Sequence, residues 1–462
     1  MTGSGTEADP YIIYAVNDLQ AVDNDLNAWY ELANDIDASD TVNWNSGAGF
    51  SPIGPETSSF QGHFDGRGYN ITSLYINRPT TDCVGLFRLI FNAPEVKNFE
   101  LLQVNITGQD RVGALAGRVA SFTGFGVIIK RCRSSGSVTG RAYVGGLIGD
   151  YNPTAGTNSE LRRCRSTASI SSTGNEVGGL AGYIIGGLVS KCCAKGNVSG
   201  TGTRIGGFVG QQQGSIRRCF ATGSVSAPNG SSVGGFVGYN YTVIKDCYAR
   251  GAVSGNNRVG GFSGYTSVGG LTRVYSTGAV SGNLDVGGLV GYNDTDPPDN
   301  VVASFWDYQT SGQATSAGGT PKSTAQMKTK STFTDADWDF VDVWDIAATV
   351  NDGYPYLRGF LQGGYIWCAN NTGETTKLHY TDENEWQRAI EGATTGQSGT
   401  AGYLWVETTY LHYIDSAGAE RRQEGTAEGA TGVTAGHLWI EATKLRYIDA
   451  SGNERYIEGA VV

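Results

Sequence analysis

Residues 205–210 read Ile-Gly-Gly-Phe-Val-Gly, and residues 233–238 read Val-Gly-Gly-Phe-Val-Gly. The same hexad, V-G-G-[LF]-x-G in outline, begins at Val112, Val144, Val177, Ile205, Val233, Val259 and Val286. Successive starts lie 32, 33, 28, 28, 26 and 27 residues apart, and a degenerate earlier copy opens at Val84. A fixed period of this length marks a repeat architecture, in which each repeat is one unit of a stack.

Between the hexads runs a second element: CRSSGSV from Cys132, CRSTASI from Cys164, CCAKGNV from Cys192, CFATGSV from Cys219, CYARGAV from Cys247 and VYSTGAV from Val274. Alternate positions are small or apolar, as in Cys219, Ala221, Gly223 and Val225, while the residues between them are larger or polar. A period of two is that of a β-strand with one face inward. A unit of about 28 residues cannot bury such a face alone, but stacked copies can. The expected fold is therefore all-β: a right-handed parallel β-solenoid of about 27–33-residue coils. The paired glycines are expected at corners that need positive φ or close backbone approach.

The hexads VGGLIG, VGGLAG, IGGFVG and VGGFVG resemble the GLUG repeat of bacterial surface and phage proteins. The lead-in GSGTEADPYII and the exit FWDYQTSGQATSAGGTPKSTAQM, followed by DGYPYLRGF, resemble the usual flanks of such arrays, so the likeness covers about residues 1–360. It implies architecture more than function, because such arrays serve adhesins, peptidase appendages and virion proteins alike.

Four divisions follow. Residues 1–80 are expected to form an N-terminal cap and the first coils, with a short helix after Asn17 that places Leu19, Val22 and Leu26 on one face. Residues 81–304 are the solenoid, and 305–362, rich in tryptophan, its C-terminal cap. Residues 363–462 carry a different repeat around Trp367, Trp405 and Trp439, read as β-hairpins that dock on the rod, on identical chains or on a larger assembly.

Composition narrows the function. Glycine is high, 69 of 462, without a collagen period, and 39% hydrophobic residues exclude disorder. The net charge of −11 argues against nucleic acid, and no run of 18 apolar residues would insert in a membrane. The N-terminus shows no basic and apolar leader.

Cys132, Cys164, Cys192, Cys219 and Cys247 share one inward slot that Val274 fills in the next coil, which reads as a reduced packing ladder of small hydrophobes. Cys193 and Cys368 are the thiols expected to react. Outward columns of aromatics, Phe220, Tyr248 and Tyr275 beside the ladder and Tyr239, Tyr265 and Tyr292 after the hexads, are candidate contacts for glycans or a second subunit, or simply stack on one another. No catalytic, cofactor or metal site is expected. The four histidines are scattered, and Asp35, Asp37 and Asp65 sit where turn duties are common.

The reading these features favour is a non-enzymatic virion structural protein of a tailed phage or related virus, a tail-fibre, head-fibre or decoration subunit. It would be homo-oligomeric through residues 363–462, in contact with other virion proteins, and able to touch host surface glycans. The alternative is a bacterial or archaeal cell-surface adhesin whose leader has been removed. A glycan-degrading tailspike is the third reading.

Overall fold

The computed structural model describes residues 1–358 apart from 94, 155, 157, 296–299 and 349, and beyond 358 the backbone of nine short strands. The chain divides into two compact units, Met1–Arg358 and Gly359–Val462.

In the first unit each hexad is a corner. The strand Thr203–Gly206 ends on its first glycine, and Val209–Gln212 begins after Gly207 and Phe208. Equivalent strands pair in parallel and in register from coil to coil, Ile205 with Val233 and Val209 with Val237. The result is a parallel β-solenoid whose coils contribute to three sheets. One has eight strands, one has seven, and the longest carries the cysteine slot. Ile205, Phe208 and Val209 point inward and are fully buried, as are their counterparts in neighbouring coils. Phe208, Phe236 and Phe262 stack face to face at 4.6 and 4.8 Å, the separation of neighbouring strands.

The hexad glycines do not adopt positive φ. They are needed for close approach. A methyl group at Gly207 would lie 2.1 Å from the carbonyl oxygen of Gly235, and one at Gly235 would lie 2.2 Å from that of Gly261. Left-handed backbone falls instead on the residue before each hexad, with φ of 57° at Arg111, 54° at Tyr143, 61° at Arg204 and 53° at Arg258. A second left-handed column precedes the cysteine slot, at Arg131, Arg163, Lys191, Arg218, Asp246 and Arg273. Most of these bends fall on arginine or another polar residue, at a modest conformational cost held in place by the stacked neighbours.

Residues 1–80 are threaded into the same ladder. Tyr11–Ile13 pairs with Trp29–Leu32, which pairs with His63–Asp65 and then with the strand Glu95–Thr107. The helix lies at Val16–Gln20 and passes into a 3₁₀ turn at Ala21–Asn24, with Leu19 and Val22 buried. It starts earlier and is shorter than expected because the Asp18 carboxylate accepts the N–H groups of Tyr14 and Ala15.

At the other end the ladder position held by Ala249 and Ser276 passes to Trp306, which is 3% exposed and packs beside Gly288. A large indole thus fills the core where the small-residue column stops. The chain then folds back along the side of the last coils. Trp338, Trp344 and Tyr354 pack around Tyr275, whose hydroxyl donates to the Pro355 carbonyl at 2.5 Å. Arg250 reaches Asn351 and Asp352.

In the second unit the strands Tyr365–Ala369, Lys377–Thr381 and Gln387–Ile390 pair antiparallel in sequence order. So do the corresponding trios from Tyr403 and from Leu438. Each repeat is a three-stranded meander rather than a hairpin. Trp367, Trp405 and Trp439 lie on the first strand of each trio, and their side chains, with that of Cys368, lie outside the described residues.

Candidate functional site

The outer side of the eight-stranded sheet carries a row of tyrosines interrupted once by Gln211. Tyr183, Gln211, Tyr239, Tyr265 and Tyr292 are in register on successive coils. They project outward because they follow, by one residue, the last glycine of each hexad, which packs inward against the preceding coil. Tyr239 and Tyr265 stack at 4.3 Å, and Tyr265 and Tyr292 at 5.3 Å. Arg258, from the left-handed bend beside them, lies 5.0 Å from the Tyr265 ring and 4.9 Å from that of Tyr292. Arg204 stands in the same way over Tyr239 and forms an ion pair with Glu176. Each arginine gains a ring face and lies against a low-polarity surface.

Tyr239 and Tyr292 are half-buried, and Tyr265 between them is 8% exposed. Burial raises the Tyr265 hydroxyl pKa, and a hydrogen bond with Asp294 raises it further. Because the rings cover one another, the row offers edges and neutral hydroxyls to a partner rather than open ring faces. That favours hydrogen bonding to polar groups over ring stacking on a sugar.

The second aromatic column is not a free surface. Phe220, Tyr248 and Tyr275 do stack in register, at 4.8 and 5.1 Å. They are only 6%, 5% and 0% exposed. Trp344 from the fold-back segment lies 6.2 Å from Tyr248 and 6.1 Å from Tyr275, and Lys195 stands over Phe220. The expectation that this column meets glycans or a second subunit is corrected: this chain's own C-terminal segment covers its two tyrosines. The spacing between residues 248 and 344 gave no local sign of that contact.

The cysteine ladder is buried as expected, but its slot does more than accept a small hydrophobe. The backbone N–H of Cys164 donates to the Cys192 thiol sulfur at 3.3 Å, Cys192 to Cys219 at 3.4 Å, and Cys219 to Cys247 at 3.3 Å. Each thiol in turn donates to the carbonyl two residues earlier, as Cys219 does to Arg217 at 3.3 Å. Where Val274 replaces cysteine, its own N–H finds the Ser304 hydroxyl at 3.1 Å. Where it holds one of these cysteines or Ser304, the slot supplies an acceptor to the coil before it. Burial pushes the Cys192 and Cys219 thiols well up. Cys193, expected to react, is 4% exposed and its thiol is raised by burial as well, so it is as shielded as the ladder.

The acidic residues of the entry segment accept backbone N–H groups, two of them in local turns and Asp35 from a neighbouring coil. Asp35 accepts the N–H of Asn70, Asp37 that of Ser39, and Asp65 that of Arg67 while lying 3.6 Å from the Lys97 ammonium. His63 stacks on Trp29 at 3.4 Å, and burial lowers its pKa. Among the described residues no group of three or more His, Cys, Asp or Glu is placed to hold a metal ion. No helix among them is long and apolar enough to cross a membrane. The arginines of the left-handed bends were the component missed from sequence. The common position of Arg111, Arg204 and Arg258, one residue before a hexad, was the available signal.

Two stretches, residues 201–226 and 229–254, match the family model of the GLUG motif. Halomucin of Haloquadratum walsbyi is 43% identical over 124 residues, which is 25% of this chain and 1% of that protein. A protein named as a Gly-rich membrane protein, from Evansella cellulosilytica, is 38% identical over 120 residues, 25% of this chain and 14% of its own. The chain thus spans a small fraction of the length of either relative.

Proposed function

The chain is a GLUG-motif repeat protein, and from that premise we propose that it is a non-enzymatic, surface-associated adhesive protein whose stacked coils form an extended contact surface. The observation that carries this reading is the similarity to one protein named a mucin and another named for a membrane. The tyrosine–arginine row supports it, since a line of neutral hydroxyls on a rigid sheet suits contact with a polar polymer better than it suits chemistry. Asp35, Asp37 and Asp65, the carboxylates considered for a glycan-degrading site, are each engaged by a backbone N–H group. The meanders of residues 363–462 serve docking or self-association in this account.

A virion structural role, favoured from the sequence, draws no support from either relative's name, and the cell-surface alternative takes precedence. Mass spectrometry of fractions from the source culture separates the two. The chain is expected in the envelope fraction, and protease added to intact cells should remove it. Co-banding with particles in fixed stoichiometry to a capsid protein would overturn the cell-surface reading in favour of the virion.

A further inference from the structure

Although the chain is acidic overall, folding gathers its cations into one stripe on the long sheet. Lys130, Arg162, Ser190, Arg217 and Lys245 occupy one outward column, in register on successive coils. The left-handed bend adds a second basic column immediately beside it, Arg131, Arg163, Lys191 and Arg218. Arg133 and Arg165 open a third. With Lys195, the basic residues among these positions number eleven, a third of the chain's 33 Lys and Arg residues.

Its acidic partners stand mainly at its two edges. At its upstream edge Lys130 pairs with Glu95 and Arg133 with Glu100. At its downstream edge Asp246 is engaged by Arg273, and Asp339 approaches Arg218. Between these edges Glu160 lies on the same face as Arg162. Arg131, Arg162, Arg165, Arg217 and Lys245 nevertheless form no ion pair among the described residues, and Arg162, Arg217 and Lys245 are exposed. Like charges directly opposite on neighbouring strands repel. A column with Arg217 opposite Lys245, about 4.8 Å apart, is therefore unfavourable for the free chain and favourable for one with a line of anions beside it.

We propose that this stripe binds an acidic polysaccharide, a carboxylate- or sulfate-bearing chain lying along the stacking direction. Its repeated charges would run past successive coils, with the arginines in position for bidentate contacts. Single-stranded nucleic acid fits less well, because its binding relies on aromatic platforms for the bases. The tyrosines bordering the stripe, Tyr248 and Tyr275, are buried under residues of the fold-back segment. The inference names a partner for the contact surface proposed above, and its test stands apart from the question of where the protein resides.

The test is retention of the full chain on immobilised polygalacturonate, on neutral dextran and on a single-stranded DNA oligonucleotide, each eluted with a salt gradient. Retention on polygalacturonate, reversed by salt, and none on dextran is the expected result. The triple variant Arg162→Gln, Arg217→Gln, Lys245→Gln removes three exposed side chains without touching the core. It should bind polygalacturonate roughly tenfold or more weakly, the summed effect of three exposed ionic contacts, with an unchanged circular dichroism spectrum. Absence of retention, equal retention of the triple variant, or tighter binding to the oligonucleotide than to the polysaccharide would each overturn the proposal. None of these would bear on fractionation with the envelope.

Discussion

Replacing Gly235 with alanine is expected to cost about 4 kcal/mol or more, in the range reached only by severe core damage. The methyl group would sit 2.2 Å from the carbonyl oxygen of Gly261 in the next coil. That oxygen belongs to backbone, so no side-chain rotation can relieve the contact and two coils must part. Separation of those coils also pulls apart the Phe236–Phe262 stack. Gly270→Ala is the control. There an added methyl group meets the Asn300 carbonyl oxygen at 3.2 Å and the Val243 Cγ2 at an ordinary 3.9 Å, and a small local shift suffices. Thermal unfolding followed by circular dichroism should show a large loss for the first and a small one for the second. Equal melting of both variants would mean that the coils do not approach as closely as described.

The second expected effect concerns the cysteine slot. Cys219→Val keeps the slot apolar and filled but removes the acceptor for the Cys192 N–H. A buried donor left without a partner costs about 1–3 kcal/mol. Cys219→Ser is smaller, yet it retains an acceptor and can still donate to the Arg217 carbonyl, as Ser304 does to Val302 at the end of the same column. Serine should therefore be the milder substitution in urea unfolding. If valine proved as stable as the parent and serine less stable, the slot would be a packing site only, as its alternation of Cys and Val first suggests.

Much of the first unit was legible because its information is periodic. The hexads marked the corners, the alternation around Cys219 marked a strand with a narrow interior, and both were confirmed in register. The role of the glycines was legible only in part. The sequence allowed either positive φ or close approach, and the positive φ went to Arg204, Tyr143 and their equivalents, residue types that announce no such backbone. The fold-back of residues 331–358 was invisible for a different reason. Its contacts join residues about a hundred positions apart, such as Arg250 with Asn351, and no repeat predicts them. The basic stripe lay between these cases. The pairs Lys130-Arg131, Arg162-Arg163 and Arg217-Arg218 each precede a ladder cysteine, but the net charge of −11 averages them away. Only the stacking of coils turns three dispersed dipeptides into one surface.

The central claim is that coils about 28 residues long stack in parallel and in register, and one distance tests it most directly. Ser199, Ser226, Ser254 and Ser281 form an outward column on four successive coils. Ser199 and Ser281 are both exposed and 82 positions apart in sequence. Three strand spacings place them about 14 Å apart. Nitroxide labels on Ser199→Cys and Ser281→Cys, in a background where Cys368 and the half-buried Cys83 are both replaced by serine, report that separation through their dipolar coupling. A single narrow distribution near about 14 Å, broadened by the label arms, is the predicted result. A separation beyond about twice that value, or a broad spread of distances, would contradict the in-register stack and the two surfaces built on it.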